Sequence, residues 1–489
     1  MAASGLRAPM QRVRLDEDEP PGAPPAPSGP ERLRAWVVRR PGRAVSAAVV
    51  ATVVLATLLV GAPRWAAGRE RDAVLGAAAF PGAVRSLADA PGVRWTATVD
   101  GSTPPLLVGD VIVATTGDLH DGRQILGLDA VTGQQRWAVP LGADPAPENA
   151  LCRPLGAQLA CVVGPAPPSD RRVLVTSEPR VDDGQAALLV LDPADGAVLS
   201  RSEIGGWVVA TAQAGSDLVV ATYAWGMLTV RRLDPATGAA RWQTQRWSTF
   251  QSASNGRVAL VAAAGLVLAA GNDVTLVLDA ATGARLPRPP GATVADQTRL
   301  LEDGTLVRTR YRLRDAGVDA VSELSTGMGR PWASVRGVLA APAVSDGTSG
   351  LVFAAGGLTG GSSGGRVRAY DRATAQQVWL ASAPAPEVDV DAGGRVVVRG
   401  GGALIGLDAA TGEQAWTRTF GPSIGRAFTD GRRVAVEHDA SDGTPVLTSV
   451  SLDDGAALWE IPLPAGTTRV VRMGAHLYAL GDDALVALR

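Results

Sequence analysis

The sequence predicts an all-β fold, a closed β-propeller of four-stranded blades preceded by one transmembrane helix, and three observations carry that reading. A ten-residue segment of the form Leu-Asp-x-x-Thr-Gly-x-x-x-Trp recurs along the chain. Short Val- and Leu-rich runs lie between its copies, broken by Gly, Asp and Pro, as expected of many short strands joined by turns. A single uncharged run, from Ala44 to Ala62, has the length of a bilayer span.

The repeat has a physical reading at each position. LDAVTGQQRW ends at Trp137, LDPATGAARW at Trp242, YDRATAQQVW at Trp379 and LDAATGEQAW at Trp416. The Asp lies eight residues before the Trp in all four copies, at Asp129, Asp234, Asp371 and Asp408. Its carboxylate can accept hydrogen bonds from backbone N–H groups of the following turn. The Thr-Gly pair closes that turn, since Gly takes a positive φ without steric cost. The next strand carries the Trp, a ring large enough to fill space between neighbouring sheets. Weaker copies begin near Asp192 and Asp279 and end at Trp332 and Trp459. Two further short strands precede each copy, so the unit is a four-stranded antiparallel sheet of about 40–45 residues, the size of one propeller blade.

Closure follows from the two ends of this region. The stretch around Trp95 reads as a last blade strand without its first three, and RVVRMG, HLYALGD and ALVALR near Arg489 read as three strands without a fourth. Pairing them completes one blade and removes two open edges.

Residues Pro20 to Pro30 are rich in proline and small residues, so residues 1–43 are expected to be a disordered cytoplasmic tail. Arg32, Arg34, Arg39, Arg40 and Arg43 precede the Ala44–Ala62 run, and fewer arginines follow it closely. Nineteen residues of helix rise roughly 28 Å, about a bilayer's hydrocarbon thickness. The charge asymmetry places the N-terminus in the cytoplasm and the propeller, residues 92–489, outside a bacterial plasma membrane, with 63–91 as a linker. The run exceeds a signal-peptide core, follows a tail of over 40 residues and is followed directly by Pro63 and Arg64, which favours an uncleaved anchor. Net charge is −2, and all 46 basic residues are Arg, so nothing indicates nucleic-acid binding.

The repeated Asp-x-x-Thr-Gly-x-x-x-Trp pattern resembles that of the pyrroloquinoline-quinone-like (PQQ-like) repeat propellers, over nearly everything from Gly92 to Arg489. That superfamily includes quinoprotein dehydrogenases and cofactor-free scaffold propellers. Literal counting of copies gives nine blades; eight, the number usual in the superfamily, is favoured, with nine open and a miscount suspected between Asp279 and Trp332.

Cys152 and Cys161 flank a two-residue hairpin turn at Gly156-Ala157. Counting outward from Leu155 and Gln158, the cysteines oppose each other at a non-hydrogen-bonded pair, where Cα atoms are closest. Gly first in the turn suits type II′, and Pro154 also falls at a non-hydrogen-bonded position. A cross-strand disulfide suits an extracytoplasmic domain; two reduced, buried cysteines are the alternative.

No catalytic, cofactor-binding or metal site emerges. His120, His438 and His476 are scattered, the loops DLHDG and DASDG miss the EF-hand spacing, and no nucleophile elbow, P-loop or dinucleotide fingerprint is present. The resemblance implies, for a quinoprotein, a vicinal disulfide and calcium ligands beside a catalytic Asp. Here there is no Cys-Cys pair, and Asn occurs only at Asn149, Asn255 and Asn272. The expectation is therefore a non-enzymatic, membrane-tethered binding or scaffold module with a protein partner and no cofactor. A PQQ- and calcium-dependent oxidoreductase is the runner-up, and an extracellular ligand sensor a third reading. The chain also looks like the propeller lipoproteins of bacterial outer-membrane assembly, but lacks their lipidated Cys.

Overall fold

The computed structural model describes residues 80–489 apart from 118–121, 142–148, 165–185, 225, 249–257, 272–273, 288–295, 315–316, 328, 330 and 357–364. The expected tail and span, residues 1–43 and 44–62, lie outside the described residues, as does most of the 63–91 linker. Among the described residues no helix is long and apolar enough to cross a membrane.

Among the described residues nine sheets form, built mainly from antiparallel strands that follow one another along the chain. Blade 1 comprises Leu106–Val108, Val111–Thr116, Gln124–Asp129 and Gln135–Pro140. Blade 2 comprises Asn149–Leu155, Gln158–Gly164, Ala187–Leu191 and Val198–Glu203, and blade 3 Trp207–Ala214, Asp217–Ala224, Met227–Leu233 and Ala240–Trp247. Blade 4 has Ala259–Ala263, Leu266–Ala270 and Thr275–Asp279, with a lone bridge from Leu278 to Arg285 in place of a fourth strand. Blade 5 comprises Gln297–Leu300, Thr305–Arg314, Gly317–Thr326 and Ala333–Arg336; blade 6 comprises Val338–Leu339, Leu351–Ala355, Val367–Asp371 and Gln377–Leu380. Blade 7 comprises Glu387–Ala392, Arg395–Gly400, Ala403–Asp408 and Gln414–Thr419, and gains a fifth strand, Val344–Ser345, parallel to Glu387–Ala392. Blade 8 comprises Ile424–Thr429, Arg433–Asp439, Pro445–Ser451 and Ala457–Pro462. Blade 9 joins the ends: Arg469–Met473, His476–Leu480 and Ala484–Leu488 pair with Val93–Thr98.

The count of nine corrects the eight that the sequence reading favoured. The stretch suspected of a miscount holds two separate sheets, blades 4 and 5, so the literal number of copies was right. One copy is displaced by a residue. Trp332 is about half exposed, whereas Ala333 opposes Leu324 at the position where Trp137 opposes Gly127. Blade 5 therefore buries an alanine where blades 1, 3, 6 and 7 bury an indole.

The core lies between the blades. Alternate side chains of a strand point to opposite faces, so each sheet packs on the blade before and the blade after it. Nine apolar clusters result, one at each successive seam, from blades 1 and 2 (Val113, Leu159, Cys161) round to blades 9 and 1 (Trp95, Ile112, Tyr478). Every seam is filled, and the ring is closed by packing as well as by the strand pairing of blade 9. The first strand of each blade lines the central channel. At the opposite edge, the fourth strands carry the exposed apolar residues Val93, Val198, Leu199, Val378, Leu380 and Leu458.

Candidate functional site

The residues singled out by the repeat meet at the seams. Asp129 Oδ1 accepts the amides of Val131 and Thr132 at 2.9 Å each and the Thr132 hydroxyl at 3.2 Å. Asp371 and Asp408 repeat this arrangement with Thr374 and Thr411, and Asp234 accepts the Ala236 amide at 2.9 Å. The Thr374 hydroxyl and amide hold the Asp371 carboxyl below its usual value, and the Thr411 amide does the same for Asp408. At Asp129, burial pushes the carboxyl up, but Arg136 and the turn amides outweigh it and the net shift is downward.

Each repeat Trp is then tied to the following blade. Trp137 Nε1 donates to the Pro193 carbonyl at 2.9 Å, Trp242 to Ala280 at 2.9 Å, Trp379 to Ala409 at 2.9 Å and Trp416 to Leu452 at 2.8 Å. The acceptor is always the residue one beyond the Asp position of the next turn. The same turn's glycine lies flat under the indole: a Cβ on Gly412 would stand 2.5 Å from the Trp379 ring, and one on Gly283 2.6 Å from Trp242. These residues are structural, and their polar groups are consumed by the ring. Blade 2 uses Ser200 instead, eight residues beyond Asp192 in that weaker copy of the repeat, and its hydroxyl donates to the Pro235 carbonyl at 3.0 Å.

Cys152 and Cys161 are paired in register and joined by a disulfide, with Gly156 at φ +59° in the turn between them. Cys161 is fully buried in the seam between blades 1 and 2.

The first strands expose Arg153, Arg299, Arg426, Arg469 and Arg472 against a single exposed acid, Glu387. Arg299 donates to the Leu339 carbonyl at 3.2 Å, Arg469 to Gly101 at 2.7 Å, Arg472 to Gly474 at 2.7 Å and Arg153 to the Thr211 hydroxyl at 3.4 Å. All four acceptors are neutral oxygens, and Glu437 lies close enough to Arg469 for the two charges to interact. The acids of the first strands are already engaged. Arg399 pairs with Asp389 at 2.8 Å and with Glu387, and Asp391 accepts from Ser349 at 2.7 Å and Ser345 at 3.0 Å. Burial raises the Asp391 carboxyl above its usual range. The exposed charge of the described first strands is thus mainly positive.

Among the described residues, no group of three His, Cys, Asp or Glu side chains could hold a metal ion. The repeat tryptophans lie in the seams with their N–H groups spent, so none of them is offered to the channel as a stacking ring. His438 lies in blade 8, its Nε2 2.8 Å from the Thr448 hydroxyl, which donates to Glu460 at 2.9 Å. His476 is buried in blade 9, and His120 lies outside the described residues. The two described histidines lie in different blades.

The class defined by this geometry is the PQQ-like repeat propeller, with its Asp-turn and Trp seam. The family model described as outer membrane protein assembly factor BamB matches residues 155–322 and 363–489, more than half of the chain, and the chain belongs to that family. Among solved structures, BamB from Moraxella catarrhalis is 16% identical, with a TM-score of 0.45, covering 82% of this chain and 98% of that one. A quinohemoprotein alcohol dehydrogenase from Comamonas testosteroni is 10% identical, with a TM-score of 0.42, covering 81% and 76%. The computationally designed protein Ika8 is 14% identical, with a TM-score of 0.40, covering 83% and 98%. No curated protein matches.

Proposed function

We propose that this chain is a non-enzymatic scaffold that presents its propeller to a protein partner at the outer face of the plasma membrane, tethered by residues 44–62 with its N-terminus in the cytoplasm. One observation carries the reading: the recurring Asp, Thr-Gly and Trp of the repeat are spent on holding blades together, while the first strands expose five arginines against one glutamate. Membership of a family described by an assembly factor agrees with a binding role. The cation-rich first strands suit a partner that inserts acidic side chains.

The test is cross-linking and co-purification from detergent-solubilised membranes. A protein recovered in near-stoichiometric amount, and lost when Arg299, Arg426 and Arg469 are changed to Glu, supports the proposal. Recovery that ignores those changes removes the channel from it. Micromolar binding of pyrroloquinoline quinone with calcium, together with dye-linked oxidation of an alcohol or aldose, would overturn the non-enzymatic reading. A reporter fused after Arg489 should be active only outside the cytoplasm; activity inside would overturn the tether's orientation.

A further inference from the structure

Blade 9 is the one blade whose third and fourth strands come from opposite ends of the described chain. Gly92 N donates to the Arg489 carbonyl at 2.5 Å, and Arg489 N returns a bond to Gly92 at 2.8 Å. No turn joins these two strands, and with it goes the docking surface that the corresponding turns of blades 1, 2, 4, 7 and 8 offer to a preceding Trp. Trp459 of blade 8 is nonetheless satisfied. Its Nε1 donates at 2.8 Å to the carbonyl of Leu87, a residue outside every blade.

Residues 80–91 reproduce the other bond of the missing turn as well. In blades 1, 7 and 8 the amide one residue beyond the Asp position donates to the blade's own first turn: Ala130 to Asp110 at 3.0 Å, Ala409 to Gly394 at 3.0 Å and Leu452 to Arg432 at 2.9 Å. In blade 9 the Arg85 amide donates to Ala475, in the first turn of that blade, at 2.8 Å. Two bonds made by one residue elsewhere are here divided between Arg85 and Leu87. The segment is also fastened to blade 8, where Val84 N donates to the Thr429 carbonyl and Leu87 N to Asp430 Oδ2, both at 2.8 Å. Val84 and Leu87 are 3% and 4% exposed, packed with Phe428, Leu463, Val470 and Leu488. Further back, Phe80 lies over Gly431, and Gly82 lies against Val344 of the extra strand on blade 7.

We infer that residues 80–91 are a clasp: they stand in for the absent turn of blade 9, and closure of the ring at the seam of blades 8 and 9 depends on them. The ring is therefore shut twice, once by the Val93–Thr98 strand and once by this strap. The strap is continuous with whatever precedes residue 80, so a displacement there acts on one seam and, through Gly82, on the strand at the channel edge of blade 7. This holds whether or not the chain is tethered.

Hydrogen exchange of the full-length protein tests it. Changing Val84 and Leu87 together to Asp should speed amide exchange at least tenfold in residues 424–439 and 469–480, and leave blades 3 to 5 unchanged. Trp459→Phe keeps the ring but removes the N–H donor, and should produce a several-fold rise confined to the same segments. Trp137→Phe, at a seam whose turn is intact, should loosen blades 1 and 2 only. If the double variant fails to fold, Trp459→Phe decides. Unchanged exchange at the seam of blades 8 and 9 in Trp459→Phe, or a rise spread evenly over all nine blades, would overturn the clasp.

Discussion

The seam between blades 6 and 7 and the seam between blades 5 and 6 are built on one plan and filled differently. At the first, Trp379 lies on the flat face of Gly412 and donates to the Ala409 carbonyl. At the second, Ala333 takes the Trp position, and the residue in the glycine position is Ala375, at φ +55°. Tyr370 makes up part of the loss, its hydroxyl donating to the Arg336 carbonyl at 2.9 Å and accepting the Arg336 amide at 3.0 Å. The difference teaches why the repeat needs glycine. The turn demands a positive φ in both seams, but only a facing indole forbids a Cβ. Where the indole is missing, alanine is sterically admitted and carries only the conformational penalty.

The largest effect should come from emptying the regular seam. Trp379→Ala removes a ring that is 6% exposed and packs against Phe353, with centroids 6.0 Å apart. Truncation of a buried Trp costs about 3–5 kcal/mol, to be read from denaturant midpoints. A loss under about 1 kcal/mol would mean that the seam does not rest on the indole. Gly412→Ala comes next. The new methyl would meet the indole at 2.5 Å while being forced to a positive φ, so about 2–4 kcal/mol should be lost by overpacking and strain together. A neutral Gly412→Ala would break the comparison, because it would place Gly412 and Ala375 in the same environment.

A smaller effect is set by pH. Asp371 and Asp408 each accept two amides and a hydroxyl in the turn, which lowers their native values from the ordinary 3.8. A depressed native value means that stability is fully present above the unfolded value and is lost as pH falls through the native one. Unfolding midpoints should therefore decline below about pH 4, and Asp408→Asn should flatten part of that decline. An Asp408→Asn profile that overlays the parent would remove the turn carboxylates as its source.

Much of this was legible in the sequence because the repeat is local. The Asp, the Thr-Gly pair and the Trp act within ten residues or on the next copy, so spacing alone reveals them, and the cysteine register needed only a two-residue turn. What escaped depends on contacts between distant segments. Leu87 reaches Trp459 across 372 residues and Leu87 N reaches Asp430 across 343, with no periodic mark on either partner. The strand Val344–Ser345 is too short to stand out from a loop. The channel arginines become a group only when blades 2, 5, 8 and 9 are bent into a ring. Trp332 misled because an aromatic one residue out of register looks like the repeat in sequence and faces solvent in the fold.

The last and smallest effect runs in the opposite direction, at Ala375. Replacing it with Gly relieves a left-handed conformation that costs an L-residue about 1–2 kcal/mol. Against that stands the greater freedom of glycine in the unfolded chain, about 0.4–1 kcal/mol, and the loss of one methyl from the cluster around Leu339 and Tyr370, where Ala375 is only partly buried. The terms nearly cancel, so Ala375→Gly should stabilise by no more than about 1 kcal/mol. The contrast is in sign and size: the same pair of residue types, exchanged in opposite directions at equivalent turns, should give several kcal/mol at Gly412 and a marginal gain at Ala375. If Ala375→Gly instead destabilises by more than about 1 kcal/mol, the methyl is filling space that the absent indole left, and blade 5 has repacked its seam around alanine instead of leaving it thin.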